Sequence, residues 1–234
     1  MPALFSMQSV LVVGASSGIG RETAILFARG GAHVTAVARR EDRLLQLQSQ
    51  LASEGHFIQI HVADATDPAA LNGLGDVDIL VYASGNNIPE RALTRLTPEL
   101  WEMMLGVNLS GAYYATQAVL PSMRARKAGL IFYISSRSSI AADESGAAYQ
   151  AAKRGLAGIA AAVRVEEKDN GIRTCLVCPG LTDTEILEKR PVKPTADLLA
   201  KALQPADVAE LVLAISKLPA RAWVPEVQIL PFAV

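Results

Sequence analysis

The chain has 234 residues, of which 50% are apolar and 19% charged, and its formal net charge at pH 7 is −1. This composition predicts one large globular domain or two small ones, and the charge indicates neither a nucleic-acid nor an anionic-membrane partner. The sequence has no apolar run of about 18 residues or more, so we expect no transmembrane helix. The N-terminal residues do not resemble a signal peptide.

Short apolar runs alternate with helical patterns along the chain, which is typical of a parallel sheet covered by helices on both faces. We therefore expect an α/β, doubly wound parallel sheet in a single domain, residues 1–234. Only segment 181–204 is irregular, and we expect it to form a lid over the sheet edge. The predicted strands are 10–13, 33–38, 57–62, 78–82, 130–134, 174–177 and 227–230, and the predicted helices are 20–29, 42–53, 98–105, 111–126, 147–168 and 207–216.

The two cysteines, Cys175 and Cys178, are separated by two residues in an apolar run. This spacing can indicate redox chemistry or a metal site, but a metal site usually needs a second pair or nearby histidines. The three histidines lie far away in the sequence. We expect two buried free thiols in a strand, no metal, and a reducing, cytoplasmic setting.

The first predicted strand leads into the sequence GASSGIG, residues 14–20, directly before a helix. Glycines at such a turn let the backbone approach a pyrophosphate bound at the amides of the helix N-terminus. The spacing differs from the GxGxxG pattern, and an ordinary tight turn is the alternative. The position after the first strand favours a nucleotide site. The predicted contacts are Gly14, Ser16, Ser17, Gly18, Ile19 and Gly20.

Far downstream, Tyr149 precedes Lys153 by four residues in a predicted helix. This spacing places both side chains on one face of the helix, a turn apart. A nearby cation lowers the pKa of a phenol, which is ordinarily near ~10. The pair therefore predicts a proton donor, although the spacing alone occurs often by chance.

Together, GASSGIG and the Tyr149/Lys153 pair resemble the short-chain dehydrogenase/reductase family, and the resemblance spans the chain from Val10 to Leu230. It implies a Rossmann fold with about seven parallel strands, a nicotinamide dinucleotide, and hydride transfer between a carbonyl and an alcohol. It also implies a homo-oligomer, a dimer or tetramer packed through two long helices. The small residues of 155–162 would allow close helix approach, or could simply pack on the sheet.

The resemblance assigns the chemistry to Asn108, Ser136, Tyr149 and Lys153. Ser136 lies 13 residues before Tyr149, as in the family, and Ser135 is a weaker candidate. Tyr149 would exchange the proton with the substrate oxygen, and Lys153 would lower the pKa of Tyr149 and hold the nicotinamide ribose. Ser136 would orient the carbonyl, and Asn108 would hold a water that links Lys153 to solvent.

The second predicted strand ends in Arg39 and Arg40, where an acidic residue would bind the ribose hydroxyls of NAD. Guanidinium groups can bind a 2′-phosphate through two hydrogen bonds. We therefore expect NADP(H) in preference to NAD(H), with Arg39 as the main contact and Arg40 as a supporting contact. The alternative is that these arginines only belong to the charged first turn of a helix and bind no cofactor. Further cofactor contacts implied by the resemblance are Asp64, Ala65, Ser84, Gly85, Tyr149, Lys153, Pro179, Gly180, Thr182 and Thr184.

Two regions depart from the family pattern. Ala83 replaces an asparagine that stabilises the sheet, and Ser84 replaces an alanine, whereas Gly85 is kept. Segment 67–75 has room for one or two helical turns where a full helix is expected. We expect one face of the sheet to be thinly covered there, or covered by a partner subunit.

Substrate specificity is expected from segments 86–91, 137–144 and the lid. Arg137, with Arg190 or Lys193, could bind a carboxylate or a phosphate, although solvated loop charge is the favoured interpretation. The leading prediction is an NADPH-dependent carbonyl reductase or alcohol dehydrogenase for a small-molecule substrate. The alternative is an NADP(H)-binding regulator with little turnover. A methyltransferase of Rossmann type would not need the Tyr149/Lys153 pair.

Overall fold

In a computed structural model, which describes Phe5 and residues 7–233, the strands form one seven-stranded parallel sheet. Its strand order is β3-β2-β1-β4-β5-β6-β7, and every pairing between neighbours is parallel. The predicted doubly wound sheet is confirmed. The strands are β1 (Ser9–Val13), β2 (His33–Ala38), β3 (Ile58–Val62), β4 (Ile79–Tyr82), β5 (Gly129–Ile134), β6 (Ile172–Pro179) and β7 (Glu226–Ile229).

Helices cover both faces of the sheet and enclose two apolar cores. One face packs against the first, second and last helices, and the other face packs against the two longest helices. The apolar stripes seen in the sequence are these buried faces. The helices are α1 (Gly18–Arg29), α2 (Glu41–Ser53), α3 (Pro98–Leu105), α4 (Gly111–Arg126), α5 (Ala147–Glu166), α6 (Ala196–Ala200) and α7 (Pro205–Ser216).

The largest difference in strand length concerns β6, which was predicted over 174–177 and extends over Ile172–Pro179. It pairs with β5 from Ile172 to Val177 and with β7 from Leu176 to Pro179. Hydrogen bonds to two neighbours therefore extend the strand beyond its apolar centre, to the edge of the sheet where the predicted site residues lie. Cys175 and Cys178 are buried free thiols in this strand, as predicted.

Segment 67–75 contains hydrogen-bonded turns and no helix, so the full helix of the family pattern is absent there. Leu71 is nevertheless buried with Val77 in the core beneath α4 and α5. His61 Nε2 on β3 lies 2.9 Å from Ala70 O, which ties the turn to the sheet. A single leucine side chain fills part of the space that a full helix would occupy.

The predicted lid, residues 181–204, contains a 3₁₀ segment at Glu185–Lys189 and the short helix α6. Its two ends are joined by backbone hydrogen bonds, from Asp183 N to Leu203 O (2.8 Å) and from Leu203 N to Leu181 O (3.0 Å). The lid is thus a closed excursion that leaves the sheet after β6 and returns before α7.

Candidate active site

A cleft of about 930 Å³ opens at the carboxyl edge of the sheet and is closed on one side by the lid. The loops that follow β1 to β6 all contribute to it, because the carboxyl ends of parallel strands share one edge. Most of the predicted site residues line this cleft. Gly20 and Asn108 do not line it and are buried behind its wall.

The glycine turn packs its backbone directly against the loop after β4. Gly14 has a φ of 93°, and a Cβ placed on it would lie 2.6 Å from Ser84 N. A Cβ on Gly20 would lie 2.3 Å from Gly14 O. Gly14 is therefore required both by its conformation and by space, and Gly20 serves the packing of the turn.

The N-terminus of α1 faces the cleft without a capping side chain, since Ser17 precedes the helix and makes no capping hydrogen bond. Arg40 instead lies beside it, donating to Ser16 Oγ (3.0 Å) and Ser17 Oγ (2.7 Å). A cation at the positive end of a helix is unfavourable unless an anion joins it. Glu185 of the lid supplies a carboxylate at 2.7 Å from Arg40. This donor set fits a phosphate group of a dinucleotide.

Arg39 occupies a different position. Its guanidinium lies 3.6 Å from the Asp64 carboxylate, and both side chains are largely exposed. Asp64 Oδ1 also accepts hydrogen bonds from Thr66 N and Thr66 Oγ1, both 2.9 Å. Desolvation opposes these bonds, but together with Arg39 they lower the pKa of Asp64. The structure thus places Arg40, the predicted supporting residue, on the serines of the turn.

Tyr149 and Lys153 lie one turn apart on α5 and face the cleft together, with Lys153 Nζ 5.5 Å from the centre of the Tyr149 ring. Desolvation raises the pKa of Tyr149 to about 12, while Ser136 acts in the opposite direction. Ser136 Oγ lies 3.0 Å from Ser138 Oγ at the end of β5. Ser135 is buried, and its Oγ is 3.4 Å from Lys153 O, so Ser136 is the serine available to a ligand.

Lys153 is almost completely buried, with 3% of its surface exposed. Its Nζ donates to Ile134 O at 3.0 Å. Desolvation lowers the pKa of Lys153 to about 8. The ammonium therefore keeps its charge at neutral pH but loses it readily above pH 8.

Asn108 lies in a π-helical segment, Gly106–Ser110, between α3 and α4. Its Nδ2 donates to Asn86 O (2.9 Å) and Met104 O (3.0 Å), and its Oδ1 accepts from Asn86 N (3.2 Å). A Cβ on Gly85 would lie 3.3 Å from Asn108 Oδ1 and 3.6 Å from Lys153 Nζ. The amide of Asn108 and the ammonium thus approach the same point of the backbone.

Tyr82 is a residue that sequence reasoning missed. Its hydroxyl donates to Val107 O at 2.7 Å, next to Asn108. Gly111 N donates to Gly106 O, five residues back, so Val107 O is left for Tyr82. A Cβ on Gly111 would lie 2.3 Å from the Tyr82 hydroxyl. No pattern in the sequence singled out this tyrosine, which lies at the end of β4.

The substrate end of the cleft is shaped by the loop after β5 and by the lid. Arg91 donates from Nε to Ile88 O (3.0 Å) and from Nη2 to Lys189 O (2.7 Å), which ties the lid to the loop after β4. Of the cations suggested by the sequence, Arg137 and Arg190 line the cleft and Lys193 does not. Arg91 joins them as a contact that the sequence did not single out.

Among Phe5 and residues 7–233, no group of three or more histidine, cysteine or acidic side chains is arranged to hold a metal ion. Over the same residues, no helix combines the length and apolar character needed to cross a membrane.

Comparison with known proteins matches residues 8–194 to the family model described as short chain dehydrogenase. An uncharacterised oxidoreductase of Staphylococcus saprophyticus is 32% identical over 217 residues, covering 87% of each chain. A serine dehydrogenase in complex with NADP+ superposes with a TM-score of 0.85 at 29% identity, covering 95% of this chain and 94% of its own. An alcohol dehydrogenase of Thermococcus sibiricus in complex with 5-hydroxy-NADP gives 0.84 at 27%, covering 95% of both chains.

Proposed function

The chain belongs to the short-chain dehydrogenase/reductase family, and on this basis we propose that it is an NADPH-dependent oxidoreductase acting on a carbonyl or alcohol substrate. The observation that carries the proposal is the pairing of Tyr149 with Lys153 on α5, beside Ser136 and facing the cleft. Asn108 approaches the same place from behind. A regulator that only senses the dinucleotide would not need these groups together.

Preference for NADP(H) is supported by Arg40, which follows β2 closely, in the region where an acidic residue would bind the ribose hydroxyls of NAD. The guanidinium and the Ser16 and Ser17 hydroxyls offer several donors to one anionic group, and Arg–phosphate pairs are among the stronger hydrogen bonds. Glu185 would have to give way to a phosphate. The serine dehydrogenase and the alcohol dehydrogenase described above, which bind NADP+ and 5-hydroxy-NADP, agree with this assignment.

When bound, the nicotinamide supplies or accepts the hydride. In reduction, Tyr149 donates its proton to the carbonyl oxygen as negative charge grows there. A pKa of about 12 keeps this phenol protonated at neutral pH, as an acid must be. Ser136 Oγ donates a hydrogen bond that orients the carbonyl. The Lys153 ammonium stabilises the phenolate that forms, and Asn108 stays the residue proposed to hold a water beside Lys153.

The test is NADPH oxidation over a panel of ketones, aldehydes and 3-oxo acids or esters, with Tyr149→Phe run beside the wild type. Loss of the positioned acid should reduce turnover by about 10²- to 10⁴-fold, with NADPH affinity, measured by fluorescence, unchanged. Equal turnover in the variant would contradict the assignment of Tyr149. Tight NADPH binding without turnover on any carbonyl would favour the regulator instead.

A homo-oligomer packed through α4 and α5 also remains part of the proposal. Gly158, Ala161 and Ala162 are exposed on α5, whereas Gly155 packs against Leu109 within the chain. Small exposed residues allow two helices to approach closely. Light scattering tests this, since a stable monomer at micromolar concentration would contradict it.

We also propose a cytoplasmic location. The support is the pair of buried free thiols on β6, because unpaired cysteines are usual where glutathione and thioredoxin keep thiols reduced. Fractionation of the source cells with an antibody against the chain tests this, and recovery from an oxidising compartment would contradict it.

A further inference from the structure

Besides the exposed Arg137, two guanidinium groups lie at the substrate end of the cleft, Arg91 on the loop after β4 and Arg190 on the lid. Both are only partly exposed. Both act electrostatically on Tyr149, the proposed acid, where they favour the charged phenolate. Any substrate with its carbonyl at Tyr149 therefore places its neighbouring substituent within the field of these two cations.

The two arginines are held near each other by the structure itself. Arg91 Nε and Nη2 are bound to Ile88 O and Lys189 O, so the lid residue just before Arg190 is fixed to Arg91. Arg190 N donates to Leu187 O at 3.1 Å, which ends the 3₁₀ segment of the lid. After desolvation, the charge of Arg190 is the next cause that lowers the pKa of Arg91. The two like charges thus lie close enough to act on each other.

No acidic side chain of the described residues forms an ion pair within 4.0 Å of Arg91 or Arg190. Asp143 lies in the same region, but its carboxylate is already used by its own loop. Its Oδ2 accepts from Ser138 Oγ (2.5 Å) and its Oδ1 from Ser145 N (2.8 Å). Hydrogen-bonding capacity on the two guanidiniums is therefore left for a ligand.

The nucleotide end of the same cleft shows the opposite arrangement. There Arg40 and Arg43 are both paired with Glu185, at 2.7 and 3.7 Å, and Arg39 with Asp64. At the substrate end, Arg91 and Arg190 form no such close ion pair in the described part of the chain, and Asp143 acts on both only at longer range. An anionic group on the substrate would relieve the repulsion between Arg91 and Arg190 and gain charge-assisted hydrogen bonds.

We propose that the substrate is a short oxo acid or hydroxy acid whose carboxylate binds Arg190, with Arg91 fixing the lid that carries it. This rests on the proposed function, since the carboxylate only anchors the molecule while the carbonyl reacts. The reaction balances as oxo acid plus NADPH plus a proton giving hydroxy acid plus NADP+. The carboxylate neither gains nor loses electrons.

The test compares 3-oxobutanoate with its methyl ester, which presents the same ketone without the charge. The wild type should favour the acid by at least about 10-fold in kcat/KM, and Arg190→Gln should lower kcat/KM for the acid by about 10- to 100-fold more than it lowers kcat/KM for the ester. The control is Lys193→Gln, which removes one positive charge from the same lid outside the cleft and should change neither substrate.

A second readout does not depend on turnover. Butanoate and butanamide are titrated by calorimetry into wild type and Arg190→Gln, with and without NADP+. Butanoate should bind the wild type more tightly than butanamide, and the difference should disappear in Arg190→Gln and persist in Lys193→Gln. Equal binding of the two compounds to the wild type would overturn the proposal even if no substrate is turned over.

The outcomes separate this inference from the proposed function. If the ester and acid are reduced equally well, or if Arg190→Gln weakens both equally, the carboxylate site is wrong and the reductase stands. If neither compound is reduced and NADPH does not bind, the reductase is wrong, and the calorimetric comparison alone decides whether the two arginines form an anion site.

Discussion

The proposed nucleotide turn and the proposed catalytic cluster belong to one cleft and are built in different ways. The turn, residues 14–20, is a continuous stretch whose backbone packs tightly against the loop after β4. The cluster draws Asn108, Ser136, Tyr149 and Lys153 from separate elements, and its key groups are side chains. Changes in the turn should therefore damage fold and function together, whereas changes in the cluster should separate them.

The two regions also differ in their charges. At the turn, hydrogen-bond donors lie where the N-terminus of α1 and Arg40 favour an anion. The Glu185 carboxylate already forms an ion pair with Arg40 there. The cluster buries the Lys153 ammonium with Ile134 O as its hydrogen-bond acceptor, and desolvation lowers the pKa of Lys153 to about 8. Burial of this charge destabilises the folded state, and the proposed chemistry requires it.

The largest expected effect is that of Gly14→Ala. The added Cβ would lie 2.6 Å from Ser84 N at a φ of 93°, so a steric clash adds to backbone strain. We expect the free energy of unfolding to fall by about 2–4 kcal/mol, with NADPH binding lost. Chemical denaturation and fluorescence titration measure the two effects.

Gly73→Ala is the matched control, because Gly73 also has a positive φ, of 76°, but a Cβ there would meet no atom within 4 Å. It should cost only the strain of a left-handed residue, roughly 1 kcal/mol, and leave NADPH binding intact. Equal losses in the two variants would show that the packing of Gly14 against Ser84 is unimportant.

Lys153→Met should separate stability from activity. Turnover should fall by about 100-fold or more, since the phenolate of Tyr149 loses its stabilising charge. The free energy of unfolding at pH 7 should rise, because a buried charge is replaced by an apolar side chain of similar length. Lys217→Met, at an exposed position, should leave both quantities nearly unchanged.

The pH dependence of the free energy of unfolding tests whether the buried charge of Lys153 explains the higher stability expected of Lys153→Met. The pKa of Lys153 is about 8 in the folded state and ~10.4 when unfolded, so between these values the unfolded chain binds more protons. Stability contributed by this group therefore rises with pH from about 8 to 10, and the advantage of Lys153→Met should shrink over that interval. Parallel curves would show that the buried charge does not destabilise the fold.

Arg40→Gln should change the choice of cofactor with little effect on stability. Loss of the guanidinium beside Ser16 and Ser17 is expected to raise the KM for NADPH by about 10- to 100-fold and to leave NADH nearly unaffected. Arg39→Gln, whose side chain lies at Asp64, should have the smaller effect. The reverse order would restore Arg39 as the main contact, as the sequence had suggested.

Features set by neighbours in the chain could be predicted from the sequence. Alternating apolar strands and helices gave the doubly wound sheet, and the glycine spacing placed a turn at residues 14–20. The four-residue spacing of Tyr149 and Lys153 placed both on one face of α5. Each of these depends on local geometry, since strand and helix periodicity fix which side chains share a face.

Features that depend on contacts between distant segments could not be predicted. Arg39 and Arg40 are adjacent, and only the path of the chain beside Ser16 distinguishes them. Arg91 reaches Lys189 across 98 positions of sequence. The π-helical segment at Asn108 carries no periodicity signal of its own and is bonded to Tyr82, which is distant in sequence.

Tyr82→Phe tests that last contact and carries the smallest expected effect. Removing the hydroxyl leaves Val107 O buried without this donor, which should lower the free energy of unfolding by about 1–3 kcal/mol. The matched control is Tyr133→Phe, whose buried hydroxyl lies 2.7 Å from Thr116 Oγ1 and should cost a similar amount. Because Val107 adjoins Asn108, only Tyr82→Phe should also lower kcat, by about 10-fold. Equal kcat values in the two variants would show that the position of Asn108 does not depend on the Tyr82 hydroxyl.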